Sequence, residues 1–160
     1  MATPSTQLID ALRITAARLE SGAKYLWSHA GHCNCGHLVQ TLTGLSGAHI
    51  YHRARSQQLD EWSEYANDYC PMSGQPVDQF IDTLLEFGLS REDISRLEYL
   101  SDREILKRLE GGFRFLARNE RMDVVAYLRA WADLLESQLP AASERATAAQ
   151  APQAPAAVHA

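Results

Sequence analysis

No stretch of this sequence approaches the roughly 18 consecutive apolar residues that a bilayer-spanning helix requires, so no membrane span is expected. The first residues, MATPSTQLIDAL, hold no basic leader followed by an apolar run, and no secretory signal is expected either. Basic excess is missing too. Lys and Arg number 15 against 20 Asp and Glu, and the formal net charge of −5 gives no general attraction to nucleic acid or to an anionic membrane surface. Cysteine is scarce and odd in count, with three residues, two of them as C-x-C, a poor start for a secreted disulfide framework. The expectation is a reduced, cytoplasmic protein. Familiar catalytic templates are also absent. There is no G-x-x-x-x-G-K-[ST], no strand-borne G-x-G-x-x-G, no G-x-S-x-G elbow, no C-x-x-C-H and no Glu-x-x-His.

What is present is ordinary globular material. The chain has 160 residues, 46% hydrophobic and 22% charged, enough for one domain around one core. No segment alternates as a strand and no repeat is evident, so the fold class expected is all-α, a single-domain bundle of short helices. Ser5 or Thr6 caps a first helix carrying Leu8, Ile9, Leu12, Ala16 and Leu19 at helical spacing. Gly22 weakens it before an aromatic end at Tyr25, Leu26 and Trp27. Residues 30–36 interrupt the pattern, and a helix resumes near His37 and runs to about Leu45. Gly44 and Gly47 separate it from a piece at 48–57, followed by a short helix at 59–69 that closes at Cys70-Pro71.

Pro76 suits a first helical turn, Val77, Phe80, Ile81, Leu84 and Leu85 make one stripe, and Gly88 ends that helix. Ser90 with Asp93, and Ser101 with Glu104, have capping-box spacing for two short helices. Asn119 is the expected cap of the last helix, whose stripe is Val124, Leu128, Trp131 and Leu135. Residues 1–139 thus form the helical domain. From Pro140 to residue 160 the chain is Ala/Pro/Gln-rich with almost no large apolar side chain, and a disordered tail is expected.

The chemistry concentrates in HAGHCNCGH, residues 29–37, which holds two of the three cysteines and three of the six histidines. Within a helix, positions i and i+2 point about 200° apart, so Cys33 and Cys35 need a loop to face one ion. Gly31, Asn34 and Gly36 all tolerate turn conformations. Cys35 then sits at the mouth of the helix beginning near His37, where open backbone N–H groups favour the thiolate, the metal-binding form. The same field keeps His37 neutral and competent as a ligand. Cys70 ends a helix, because Pro71 pushes it out of helical conformation. Three thiols at helix–loop junctions plus one imidazole make a Cys₃His set, a known closed zinc arrangement. His29 lies one turn before Cys33, and His32 and His37 compete with it on spacing.

The stretches WSHAGHCNCGHL and DYCPMSGQPVD resemble an uncharacterised family of small helical bacterial proteins with W-x-H-x-x-x-C-N-C-G and D-Y-C-P-x-S-G segments. The similarity spans most of residues 20–138. It marks Trp27, His29, Cys33, Asn34, Cys35, Gly36, Asp68, Cys70, Pro71 and Gly74, and it favours His29 as the fourth ligand. No activity comes with it.

Plainer readings apply elsewhere. His49 and His52 share a face with Arg53 and Arg55 and read as solvated, and Glu61, Glu64 and Asp68 line one helical face. Trp27, Trp62 and Trp131 read as core anchors. Residues 90–121 loosely suggest a helix-turn-helix with Lys107, Arg108, Arg114, Arg118 and Arg121, but Glu92, Asp93, Glu98, Asp102, Glu104, Glu110 and Glu120 nearly cancel those charges. The leading expectation is a metal-binding protein built on Cys33, Cys35, Cys70 and His29, with Zn2+ preferred and an iron–sulfur cluster as the alternative ion centre. The alternatives are a thiol-redox or metal-sensing protein using Cys33 and Cys35, and a DNA-binding or protein-interaction helical module. A metal ion is the one partner expected, with neither nucleic acid nor membrane.

Overall fold

Ser5 is extended, with φ −147° and ψ 149°, and its hydroxyl accepts the Leu8 N–H at 3.1 Å, which starts α1, Thr6–Glu20. In this computed structural model, residues 1–27, 32–47 and 77–140 are described. The expected helices at 48–57 and 59–69 and the tail at 141–160 lie outside them. The described elements after α1 are α2 (Asn34–Thr43), α3 (Val77–Glu86), α4 (Arg91–Tyr99), α5 (Arg103–Leu106) and α6 (Arg121–Glu136). All are helical, and among the described residues there is no strand. The protein is all-α, as its 3.6-residue periodicity implies.

The core is built on α1 and α6. Leu8, Leu12, Ala16 and Leu19 of the first are fully buried against Val124, Leu128, Trp131 and Leu135 of the second. Arg13 pairs with Asp133 and Glu136 near one end, and Arg129 pairs with Glu20 near the other, so the two helices run antiparallel. These exposed pairs set register more than stability. Leu38 and Val39 of α2, Leu84, Leu97, Leu100, Ile105 and Leu106 complete the core, and α2 packs on α1, α3 and α4. No described helix is long and apolar enough to cross a membrane.

Helix ends explain where the expected boundaries hold and where they move. The Ser90–Asp93 capping box forms as expected, with Ser90 Oγ accepting the Asp93 N–H at 3.1 Å and Asp93 accepting the Ser90 N–H at 2.8 Å. Gly88, at φ +92°, ends α3. A Cβ there would lie 3.2–3.3 Å from Thr3, whose N–H donates to the Gly88 carbonyl, so glycine is required twice over. α1 stops at Glu20. Ala23 N–H returns to Arg18 O and Gly22 N–H to Leu19 O, so Tyr25, Leu26 and Trp27 leave the helix instead of extending it.

Three caps differ from expectation. α2 starts at Asn34 and not near His37, because Cys33 serves as its cap. Asp102 caps α5 in place of Ser101, its carboxylate accepting from Glu104 and Ile105 N–H. Glu120 occupies the cap of α6 in place of Asn119 and makes no side-chain cap bond. Asp123 instead accepts from Ala117 N–H at 2.7 Å, fixing the entry of the chain.

Candidate thiol and metal site

Cys33 is extended, with φ −82° and ψ 177°, and its sulfur accepts the Gly36 N–H at 3.4 Å while its carbonyl accepts the His37 N–H. The sulfur therefore does what a serine or asparagine oxygen does at other helix starts. This removes the obstacle of i, i+2 spacing. Cys35 is helical and Cys33 is not, so the two side chains can turn to one partner without an intervening loop.

That partner is Glu98, at the end of α4. Glu98 Oε1 accepts the Cys35 N–H at 2.9 Å, and the Cys33 and Cys35 side chains both favour the ionised form of that carboxyl. Burial pushes the Glu98 carboxyl above the ordinary carboxylate range, against the opposing pull of Cys35, Cys33 and the Arg118 guanidinium. The Cys35 thiol also lies 3.9 Å from the Ile94 carbonyl.

A frame of side chains holds the cysteine segment on the end of α4. Asn34 is fully buried. Its amide donates to Leu97 O at 3.0 Å and Glu98 O at 3.2 Å, and its Oδ1 lies 2.6 Å from the Tyr25 hydroxyl, which also contacts the Arg118 carbonyl. Trp27 Nε1 donates to Glu98 O at 3.2 Å. These donors reach carbonyls that a helix leaves open at its C-terminus. The Arg118 guanidinium lies 3.8 Å from the centre of a Trp27 ring and 4.9 Å from that of Tyr99. Trp27 is thus a half-buried member of the site and not a core anchor, whereas Trp131 is buried in the core as expected.

His37 is neutral, and both of its ring nitrogens have hydrogen-bond partners. It is 2% exposed, and burial lowers its pKa to about 4, helped by Arg18 and His32 and opposed by the Lys24 carbonyl. Arg18 can only donate and a carbonyl can only accept. Nδ1 therefore accepts from Arg18 Nη2 at 3.2 Å, and Nε2 donates to Lys24 O at 3.0 Å. Both ring nitrogens are committed. Its ring centroid is 6.1 Å from that of His32, which is half-buried and whose carbonyl accepts the Leu26 N–H.

Of the four residues expected as ligands, Cys33 and Cys35 come together, and His29 and Cys70 lie outside the described residues. So do Trp62, His49, His52, Glu61, Glu64, Asp68, Pro71 and Gly74. Among the described residues, no group of three or more His, Cys, Asp or Glu side chains is arranged to hold a metal ion. Instead, the Glu98 carboxylate sits on the Cys35 N–H beside the two thiols.

Glu98 and Arg118 carry no motif that marks them as site residues, and Tyr25 reads in the sequence only as part of a helix end. One signal existed for Glu98. With Ile94 and Leu97 it completes an i, i+3, i+4 stripe, which puts a carboxylate on the apolar face of α4. Arg118 lies in an irregular segment with no periodicity to mark it. Two of the five basic residues of the loose helix-turn-helix pattern are tied locally, Lys107 to Glu104 at 2.6 Å and Arg114 to Asp123 at 3.1 Å. No protein-family model matches this chain, and neither a curated protein nor a solved structure matches it.

Proposed function

We propose that this chain is a metal-binding protein whose centre is built on Cys33 and Cys35, with zinc as the preferred ion and an iron–sulfur cluster as the alternative. The observation that carries the reading is the placement of Cys33 and Cys35 together at the N-terminal end of α2, with the half-buried Glu98 carboxylate on the Cys35 N–H. Thiol protons are replaceable by a cation, and the N–H groups at the helix start favour the thiolates that a soft ion needs. His29 and Cys70 enter as further donors from sequence spacing and from the resemblance to the W-x-H-x-x-x-C-N-C-G and D-Y-C-P-x-S-G family. A reducing, cytoplasmic setting suits such a centre.

The test is elemental analysis and an absorption spectrum of protein purified anaerobically without chelator. About one zinc per chain in colourless protein supports the reading. Visible absorption with iron and sulfide moves it to a cluster. Metal-free protein rejects it.

A second reading draws on the Gly36 N–H bond to the Cys33 sulfur, which stabilises a thiolate in the absence of any ion. In that reading Cys33 and Cys35 form a redox or metal-sensing pair. Metal-free protein in which both thiols readily form a mutual disulfide, reversible by a dithiol reductant, selects it.

A further inference from the structure

We infer that this chain forms a two-fold dimer through an aromatic tip at Phe113 and Phe115, each copy seating its tip in a groove of the other. Between α5 and α6, a turn through Gly111 and Gly112, both at positive φ, leads into this tip. Asp123 of α6 then holds it in place. The Arg114 guanidinium pairs with that carboxylate at 3.1 Å, and the Ala117 N–H donates to it at 2.7 Å. The two rings that flank Arg114 pack edge to face with centroids 5.4 Å apart, yet Phe113 is 48% and Phe115 83% exposed. An apolar pair held out in water in this way marks a surface that a partner covers.

What lies beside the tip points to a second copy of this chain. Met122, the sequence neighbour of Asp123, lines a groove of about 290 Å³ together with Val125, Ala126 and Ala130, and Arg108 and Glu110 stand at its rim. Phe115 of the same chain does not fill it, since that ring is exposed. A two-fold interface requires one patch that complements itself. This face carries both halves, a knob and an apolar recess. Its charges match in the same way. Among the described residues neither Arg108 nor Glu110 is in an ion pair, whereas Arg129 and Asp133 on the same walls pair with Glu20 and Arg13. Across a two-fold axis, Arg108 of one copy meets Glu110 of the other. A foreign partner would call for a knob or a recess, but not for both with opposite charges at the rim.

The experiment is sedimentation velocity of the full chain under reducing conditions without added metal, over about 1–500 µM. Wild type is compared with Phe115→Asp, with Arg108→Glu, and with the exchange variant that combines Arg108→Glu and Glu110→Arg. All three positions are exposed, so the variants should fold, and circular dichroism checks their helices. Wild type should pass from monomer to dimer with a dissociation constant in the micromolar range, as interfaces below about 1,200 Å² give. Phe115→Asp should weaken the dimer by at least roughly 30-fold, the loss of one central aromatic contact. Arg108→Glu should weaken it at low salt, and the exchange variant should restore it, because pairing between copies survives a swap of both signs. Monomer at every concentration overturns the proposal. If deleting residues 141–160 then raises apolar-dye binding in wild type but not in Phe115→Asp, the chain's own tail is the occupant. A dimer that Phe115→Asp leaves intact overturns it as well, and so does an exchange variant that restores nothing.

Discussion

Replacing Asn34 by alanine tests whether the site is fastened to α4 by hydrogen bonding. The side chain is fully buried and makes three hydrogen bonds, to Leu97 O, Glu98 O and the Tyr25 hydroxyl. Each partner keeps a second contact after the truncation: Leu97 O with Leu100 N–H, Glu98 O with Trp27 Nε1, and the Tyr25 hydroxyl with the Arg118 carbonyl. The loss should therefore follow the net worth of a hydrogen bond, about 1 kcal/mol each, and not the higher penalty of an orphaned buried group. The expected destabilisation is about 3 kcal/mol. Asn34→Asp should cost more, because it presents acceptors to two carbonyl oxygens and adds a charge beside Glu98. Urea unfolding at pH 7 reads this as a shift in midpoint at constant slope. In a double-mutant cycle, Tyr25→Phe should couple to Asn34→Ala by about 1 kcal/mol. A loss below about 1 kcal/mol for Asn34→Ala, with no coupling to Tyr25, refutes the idea that these bonds position the cysteines.

The buried His37 predicts an acid dependence of stability. Its folded pKa, about 4, lies below its unfolded value of 6.5. The unfolded chain therefore binds the proton first, and stability is lost as pH falls from 6.5 through 4. About 2 kcal/mol should disappear between pH 8 and pH 5, and a His37→Gln variant should lack that component of the slope; an equal slope in both refutes the assignment. Deleting residues 141–160 should leave the melting temperature nearly unchanged, because the segment has almost nothing apolar to bury; a drop of several degrees in a calorimetric scan would show that it docks. With net charge −5, duplex DNA should show no measurable retention at physiological salt, and micromolar binding in a titration would revive the helix-turn-helix reading.

The fold was legible where one strong local signal acts alone. Ser5, the Ser90–Asp93 box, the glycine stop at Gly88 and the stripe through Trp131 all needed only neighbouring residues. The start of α2 was harder, because cysteine is not a usual cap and its sulfur does that work only once the chain turns at residue 33. Asp102 and Glu120 displaced Ser101 and Asn119 by one residue each, a shift that tertiary contacts such as the Arg96–Asp102 pair decide. The thiol pair could be read from composition. Its partner could not be read from charge, since Glu98 sits among Glu92, Asp93 and Glu104 and looks like one more solvated carboxylate. Only its place on the apolar stripe of Ile94 and Leu97 sets it apart, and Arg118 has no such mark.

The frame around the cysteines also constrains when in the life of the chain they can find their partners. Tyr25 meets Arg118 across 93 residues of sequence, and Asn34 meets Leu97 across 63. Closing loops of that size costs entropy that α1 and the local caps do not, so this corner carries a larger closure cost than the helices that surround it. On a chain emerging from its N-terminus, Cys33 and Cys35 are made long before Glu98 and longer still before Arg118. Until then they are bare thiols beside three histidines, open to whatever ion or oxidant is at hand. The arrival of residue 98 first gives them a fixed carboxylate, and residue 118 brings the positive charge that balances it. Their chemical character is therefore a property of the finished chain and not of the segment that carries them.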